Sequence, residues 1–291
     1  VAGSAVARWI PERVAYGLAH ILGALGARRS KKKDQVARNL ARITGLPATS
    51  SEVQRLVRET YISYARYWLE TFRLVREGPE FFLDRFRCPT QDNLFGQMKD
   101  GKGAIVVVGH LGNWDAAGAW VGASGHSLVT VAEVLKPRRM FDFFVDHRAK
   151  LGMTIYAAEK GVTARLAAAV EAGAVVAILG DRDLRGMGPV VTFFGEEVTF
   201  PAGPASIALE TGAPLLIAGV YGVKHPDGKR GWHADISEPL AIPAGRGSDA
   251  IQELTQRVAT GLEEAVARRP EEWHVLQPFW TEDRRRRTPP A

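Results

Sequence analysis

The sequence predicts an α/β fold: a mostly parallel central sheet flanked by helices on both faces, with a helical region ahead of it. Three observations carry this. Wholly apolar runs at 104–108 and 174–179 each give way to glycine and read as strands buried on both faces of a sheet. Stretches of helical periodicity separate the strand-like runs after residue 103, the alternation that builds parallel sheets. Residues 34–87 instead carry mainly helical spacing. At 291 residues and 46% hydrophobic content the chain reads as one domain, with an amphipathic basic segment at 1–33, the helical region at 34–87 and the α/β core at 88–291.

In the first segment Val14, Leu18, Ile21, Leu22 and Leu25 recur at helical spacing. The apolar stretch 14–27 would span about 21 Å as a helix, short of the roughly 30 Å of a bilayer core. Arg28, Arg29, Lys31, Lys32 and Lys33 follow it, so it reads either as an interfacial anchor or as a helix packed on the core before a solvated charge run. Helices are expected at 35–43 and 51–75, the second capped by Ser50 or Ser51 and stopped by Gly78-Pro79. Tyr61, Tyr64, Trp68 and Phe72 stripe that helix, as core or as the wall of an apolar channel. Downstream, strands are expected at 127–134, 155–157, 174–179 and 215–221, with an edge strand at 232–236. Helices are expected at 138–152, 162–172, from the 199–205 stretch to Gly212, and at 249–268 with Ser248 as cap. The ending, R-P-E-E-W-H-V-L-Q-P-F-W and then Arg284 to Arg287, reads as a frayed or surface-seeking tail.

A net charge of +6 suits an anionic partner, whether a membrane surface, phosphorylated substrates or nucleic acid. Nucleic acid is disfavoured, because the basic residues are scattered apart from two short runs and form no recognition motif. The single cysteine, Cys88, excludes an internal disulfide and a C-x-x-C metal site, and it reads as a structural thiol. No secretory signal is evident, and one cysteine fits a reducing cytosol.

Chemistry is expected where the 104–108 strand ends. Gly109 and Gly112 bracket His110, and a helix resumes at Asn113, placing the histidine on a strand-to-helix turn where α/β folds build sites. His110 and Asp115 are spaced H-x-x-x-x-D. Five residues of regular helix turn through roughly 500°, so the two side chains meet only if the chain between them is not fully helical. With His110 on the turn and Asp115 in the first helical turn, the carboxylate is placed to accept from one imidazole nitrogen and leave the other as a base. Glu133, at a strand end, is a second candidate carboxylate or else an exposed loop acid. The loop G-D-R-D-L-R-G follows its strand as directly, bringing Asp181, Arg182, Asp183 and Arg185 to the same sheet edge. Arg182 or Arg185 suits a phosphate; the alternative is a self-satisfied loop of salt bridges. V-T-F-F-G, with Phe194 and Gly195, comes next, and Pro201 and Gly203 open a helix whose first N–H groups suit an anion.

Together V-V-G-H-L-G-N-W-D, G-D-R-D, F-F-G and T-F-P-A-G-P-A-S-I-A-L-E-T-G-A-P-L resemble the bacterial lipid A lauroyl/myristoyl acyltransferase family, a branch of the glycerolipid acyltransferase superfamily. The resemblance runs from about Arg38 to Trp280, and Y-W-L-E-T-F-R with the Ala- and Arg-rich composition looks most like its actinobacterial branch, which acylates phosphatidylinositol mannosides. It implies acyl-CoA as co-substrate, no resident cofactor or metal, and His110 as general base with Asp115 as its partner. Substrate contacts are expected from Gly112, Asn113, Trp114, Arg148, Asp181, Arg182, Asp183, Arg185, Phe194, Gly195, Pro201 and Gly203, with N–H groups around Gly112 and Asn113 holding the oxyanion. The basic residues and the apolar, basic N-terminus point to a peripheral protein that meets an anionic membrane lipid, and the resemblance supplies the sugar, a phosphatidylinositol mannoside on the cytoplasmic face of the plasma membrane. Where glycerol-phosphate acyltransferases carry F-P-E-G, this chain has Phe200-Pro201-Ala202-Gly203, which argues against glycerol phosphate. A lysophospholipid or lipid A-type acceptor, a hydrolase using the same histidine, and a non-catalytic lipid-binding protein are the competing readings.

Overall fold

A computed structural model describes residues 10–98, 100–183 and 185–285. The start of the 1–33 segment, Leu184 of the 180–186 loop, and Arg286 and Arg287 of the tail lie outside the described residues. The strands are β1 (Phe86–Arg87), β2 (Ala104–Val108), β3 (Leu128–Ala132), β4 (Met153–Ala157), β5 (Val175–Leu179), β6 (Val190–Phe193), β7 (Glu196–Thr199), β8 (Leu215–Lys224) and β9 (Arg230–Ile236). The helices are α1 (Glu12–Arg29), α2 (Lys33–Thr44), α3 (Ser51–Leu74), α4 (Pro79–Arg85), α5 (Gln91–Phe95), α6 (Trp114–Ala123), α7 (Arg138–Ala149), α8 (Val162–Glu171), α9 (Gly203–Thr211), α10 (Ser248–Arg268) and α11 (Thr281–Arg285).

Seven strands form the central sheet in the order β1-β9-β8-β2-β5-β3-β4, and every neighbouring pair is parallel except β8 with β9. β2 is buried at every residue, as expected of a strand covered on both faces. One face carries Val106, Val108, Leu216 and Ala218 against α4, α5 and α6; the other carries Ile105, Val107, Leu215 and Ile217 against α8, α9 and α10. β6 and β7 pair separately as a hairpin.

Three expectations are corrected. β9 is not an edge, because β1, a short strand at the end of the stretch read as helical, pairs beyond it. Ser248 opens α10 rather than capping it; Gly247 holds the cap position. The C-terminal tail is core: Trp273, Val275, Phe279 and Trp280 are buried with Phe193 and Phe200 in the cluster beneath α8, α9 and α10. At about 1.5–3 kcal/mol for each fully buried Val or Phe, leaving this segment in water would be costly.

α1 packs on α3 through a seam of small residues, Ala15, Ala19, Gly23 and Ala27. A Cβ on Gly23 would fall 2.5 Å from the Ile62 Cα, so only glycine permits the approach. The larger residues of the α1 stripe, Val14, Leu18, Ile21, Leu22 and Leu25, are left facing outward with 36–64% of their surface exposed. Among the described residues no helix is long and apolar enough to cross a membrane.

Candidate active site

β2 and β5 are parallel neighbours in the register Val108↔Leu179. Two residues beyond those partners stand His110 and Asp181, so the pairing that builds the sheet delivers both to its carboxyl edge side by side. The His110 backbone N–H donates to Asp181 Oδ2 at 2.8 Å, and its ring Nδ1–H donates to Oδ1 at 2.6 Å. Asp181 is fully buried. Burial alone would raise its carboxyl, but the His110 ring and N–H and the Trp273 indole hold it below the ordinary value. An ionised Asp181 fixes the proton on Nδ1 and leaves Nε2 as the basic nitrogen.

The segment read as a tail completes this arrangement. Trp273 Nε1–H donates to Asp181 Oδ2 at 2.9 Å. On either side of it the His274 N–H donates to the His110 carbonyl (2.7 Å), and the Gly112 N–H donates to the Glu272 carbonyl (2.9 Å), so an antiparallel bridge clasps the histidine turn. Gly112 has φ 61°, and a Cβ there would lie 2.1 Å from the Val220 carbonyl oxygen; no other residue fits. Glu272 is tied in by Arg66 at 3.0 Å and by the Gly222 N–H at 2.9 Å.

Asp115 is not bonded to His110, which corrects the pairing expected from the H-x-x-x-x-D spacing. From the first turn of α6 it reaches α3 and α7: it accepts from Arg148 Nε at 2.7 Å and from the Tyr67 hydroxyl at 3.0 Å. Burial pulls the Arg148 guanidinium down, but the Asp115 carboxylate outweighs it and the net shift is upward. The Tyr67 hydroxyl is pushed well above its ordinary value by burial and then by Asp115. Asp115 therefore locks three helices around the histidine turn.

Asn113 caps α6 through its side chain, which accepts from the Ala116 N–H at 3.1 Å and donates to Glu70 at 2.9 Å. Its side chain is buried outside the cavity wall, and the Gly112 N–H is engaged by the Glu272 carbonyl, so the oxyanion donor expected at Gly112 is corrected. Trp114 does line the cavity: its ring sits 5.4 Å from that of His110, and its buried Nε1 has no partner among the described residues. Glu133 is an exposed carboxylate in the same wall, beyond the end of β3. Asp183 organises its loop by accepting the Arg185 and Gly188 N–H groups, while Arg182 and Arg185 line the cavity. Pro201 and Gly203 also line it. Phe194 and Gly195 do not; both have positive φ, 48° and 77°, and form the β6–β7 turn, where the Phe194 N–H donates to Glu263 on α10. That F-F-G block shapes the core rather than the site.

The cavity measures ≈ 580 Å³. It lies between α6 and the sheet face bearing Val106, Val108, Ala177 and Ala218, where small residues on both sides, with Ala117 and Gly118 from the helix, leave the space. Tyr64, Tyr67 and Trp68 wall it on the α3 side; Tyr61 and Phe72 of the expected stripe do not reach it. Tyr61 packs against α1 and α2 instead, its hydroxyl 2.6 Å from Ser30 Oγ.

An α/β sheet with a histidine–aspartate pair at its carboxyl edge, above an apolar cavity, suits a lipid-modifying transferase. The sequence profile described as bacterial lipid A biosynthesis acyltransferase matches residues 1–282, and the chain belongs to that family. Among curated proteins it is 34% identical, over 97% of this chain and 90% of the relative, to the phosphatidylinositol mannoside acyltransferase of Mycolicibacterium smegmatis. It is also 34% identical, over 86% of this chain and 78% of the relative, to the protein of the same name from Mycobacterium tuberculosis.

Proposed function

We propose that this protein transfers a long-chain acyl group, palmitoyl by preference, from acyl-CoA to a mannose hydroxyl of a phosphatidylinositol mannoside at the cytoplasmic face of the plasma membrane. The His110–Asp181 pair at the head of an apolar cavity carries this reading. His110 Nε2 takes the proton of the acceptor hydroxyl as that oxygen attacks the thioester carbonyl, and Asp181 stabilises the imidazolium that forms. Collapse of the tetrahedral intermediate breaks the carbon–sulfur bond, and the imidazolium returns its proton to the leaving thiolate, giving CoA and the ester. With the Gly112 N–H engaged, the Trp114 indole N–H is the donor we assign to the oxyanion. The acyl chain occupies the space beneath α6, whose volume falls within the usual range for ligand pockets. The exposed apolar stripe of α1, followed by exposed Arg28, Arg29, Lys31, Lys32 and Lys33, seats the protein on an anionic bilayer.

The experiment offers purified protein palmitoyl-CoA with a phosphatidylinositol mannoside, a lysophospholipid or a lipid A precursor, and follows CoA release and product mass. Acylated mannoside, lost on His110→Ala by at least about 10²-fold, supports the proposal. Product on either other acceptor alone would overturn the acceptor, and free fatty acid in place of any ester would overturn transfer.

A further inference from the structure

Glu70, on α3, is a buried carboxylate that the acyl-transfer steps do not use. Its two oxygens have separate partners. Oε1 accepts from the Tyr16 hydroxyl of α1 at 2.9 Å and lies 3.8 Å from Arg66 Nε. Oε2 accepts from Asn113 Nδ2 and from the Trp232 indole Nε1 of β9, both at 2.9 Å. A carboxylate withdrawn from water is costly unless paired and hydrogen-bonded, and an apolar side chain of similar volume would join these elements without that cost. What the carboxylate adds is direction.

Asn113 is the side chain it directs. With Nδ2 bonded to Glu70, the other end of the amide, Oδ1, faces the Ala116 N–H and caps α6 at 3.1 Å. An amide held at both ends fixes the backbone of Asn113 at φ −117° and ψ 86°, outside the helical region, at the step into α6. Trp114 comes next, so the direction of its side chain is set by that step, and its ring reaches the cavity wall 5.4 Å from the His110 ring. The residue before, Gly112, is held from the same neighbourhood. Its N–H donates to the Glu272 carbonyl, and the Glu272 carboxylate pairs with Arg66, which also faces Glu70.

We propose that Glu70 is a positioning residue of the site: by holding the Asn113 amide it sets the placement of the Trp114 indole at the cavity wall. The consequence for catalysis rests on the acyl-transfer reading, in which that indole N–H stabilises the oxyanion. The path from Glu70 through Asn113 to Trp114 does not.

Two variants separate direction from charge. In Glu70→Gln the amide oxygen keeps the Asn113 and Trp232 bonds, while the amide nitrogen donates to the Tyr16 hydroxyl, which accepts as readily as it donates. This variant is expected to retain kcat within threefold. Glu70→Leu leaves Asn113 Nδ2 without its acceptor and is expected to lower kcat about tenfold or more with KM little changed. Because Glu70→Leu also strands buried donors and lowers the melting temperature, all variants are assayed well below melting, and a cycle with Trp114→Phe decides between positioning and general loosening. Acting through Trp114, Glu70→Leu costs less than threefold once the indole N–H is gone. An equal loss in both backgrounds, or a Glu70→Gln as impaired as Glu70→Leu, would overturn the proposal.

Fluorine NMR of fluorotryptophan-labelled full chain gives a readout without turnover, each signal being assigned by its Trp→Phe variant. Glu70→Leu is expected to shift the Trp114 signal and Glu70→Gln to return it, with Trp280 unmoved in both. A Trp114 signal that stays in place, or that moves only together with Trp280, would overturn the positioning role. A Trp114 signal shifted and restored in a chain that transfers no acyl group would uphold it and refute the acyltransferase reading instead.

Discussion

Asp181 holds His110 by two hydrogen bonds, one to the ring and one to the backbone, so the same carboxylate sets the tautomer of the base and the path of the chain that carries it. Asp115, five residues after the histidine, instead neutralises Arg148. The two acids are therefore expected to fail differently. Asp181→Asn should lower kcat by about 10²- to 10⁴-fold, because an amide no longer selects the Nδ1–H tautomer or stabilises the imidazolium. Asp115→Asn leaves Arg148 buried without its counter-charge, which costs on the order of 3–5 kcal/mol, so its main signature is a lower melting temperature. Kinetics and thermal melts on both variants check this; a near-active Asp181→Asn would refute the assigned roles.

The indole of Trp114 has a job only if something arrives to accept its N–H. Trp114→Phe keeps the ring against Tyr67, 4.3 Å away, and removes the donor. The expected result is a kcat lower by about 10²-fold with KM little changed, since an oxyanion donor acts in the transition state. A kcat within threefold of the unmodified enzyme would assign the oxyanion to another group.

What the sequence made legible was local. The β2 strand, the glycine-bracketed turn and the start of α6 are written in consecutive residues, and the structure reproduces them. Asp181 was visible as an acid at a strand end, but its partner depends on β2 lying beside β5, a contact 71 residues apart that no local pattern specifies. The H-x-x-x-x-D spacing suggested a nearer partner, and helical geometry turned that side chain towards α3 and α7. Trp273 was missed because a chain ending reads as a tail. The usable signal was chemical: Trp273, Val275, Phe279 and Trp280 form too much apolar surface to leave in water. β9 was misplaced for a similar reason, since the two residues of β1 that cover it are too short to register as a strand.

The cavity beneath α6 exists because Ala218 and its neighbours are small. Ala218→Leu extends a side chain from the sheet into that space. Transfer of palmitoyl should fall at least tenfold in kcat/KM, while transfer of octanoyl changes less and the melting temperature moves little, because vacant volume absorbs the added carbons. In a filled core the same change would cost about 1–3 kcal/mol. A marked loss of stability with unchanged chain preference would mean that the acyl group lies elsewhere.

α1 turns Leu18 and Leu22 outward while its small residues face α3. Replacing both by Glu removes roughly 1.5–3 kcal/mol of burial for each leucine that enters a bilayer, so binding to anionic vesicles should weaken well beyond tenfold. Soluble stability should hardly change. Vesicle sedimentation within twofold of the unmodified protein would place the membrane contact on another surface.

His274 is buried beside the histidine turn, at the cavity wall, with Nε2 3.0 Å from Ser63 Oγ and Nδ1 without a partner among the described residues. Burial, then the Arg66 guanidinium, then His110 hold its pKa well below the ordinary 6.5. The sign follows from proton counting. Between 6.5 and the depressed folded value the unfolded chain binds a proton that the native chain refuses, so stability is complete above that range and falls as the pH drops through it. The slope approaches about 1.4 kcal/mol per pH unit for one such group. Asp181, whose carboxyl is also depressed, contributes in the same direction but only as the pH falls below its ordinary 3.8. Glu271, whose carboxyl is raised by burial above its ordinary 4.5, acts in the opposite sense as the pH falls, so the histidine is isolated by comparing two proteins from pH 6.5 to 5 rather than by the slope of one. His274→Asn, which cannot titrate, should flatten the dependence of denaturation midpoint on pH across that interval, even where it lowers stability at pH 7. Parallel slopes for the two proteins would show that His274 takes up its proton in the folded state after all.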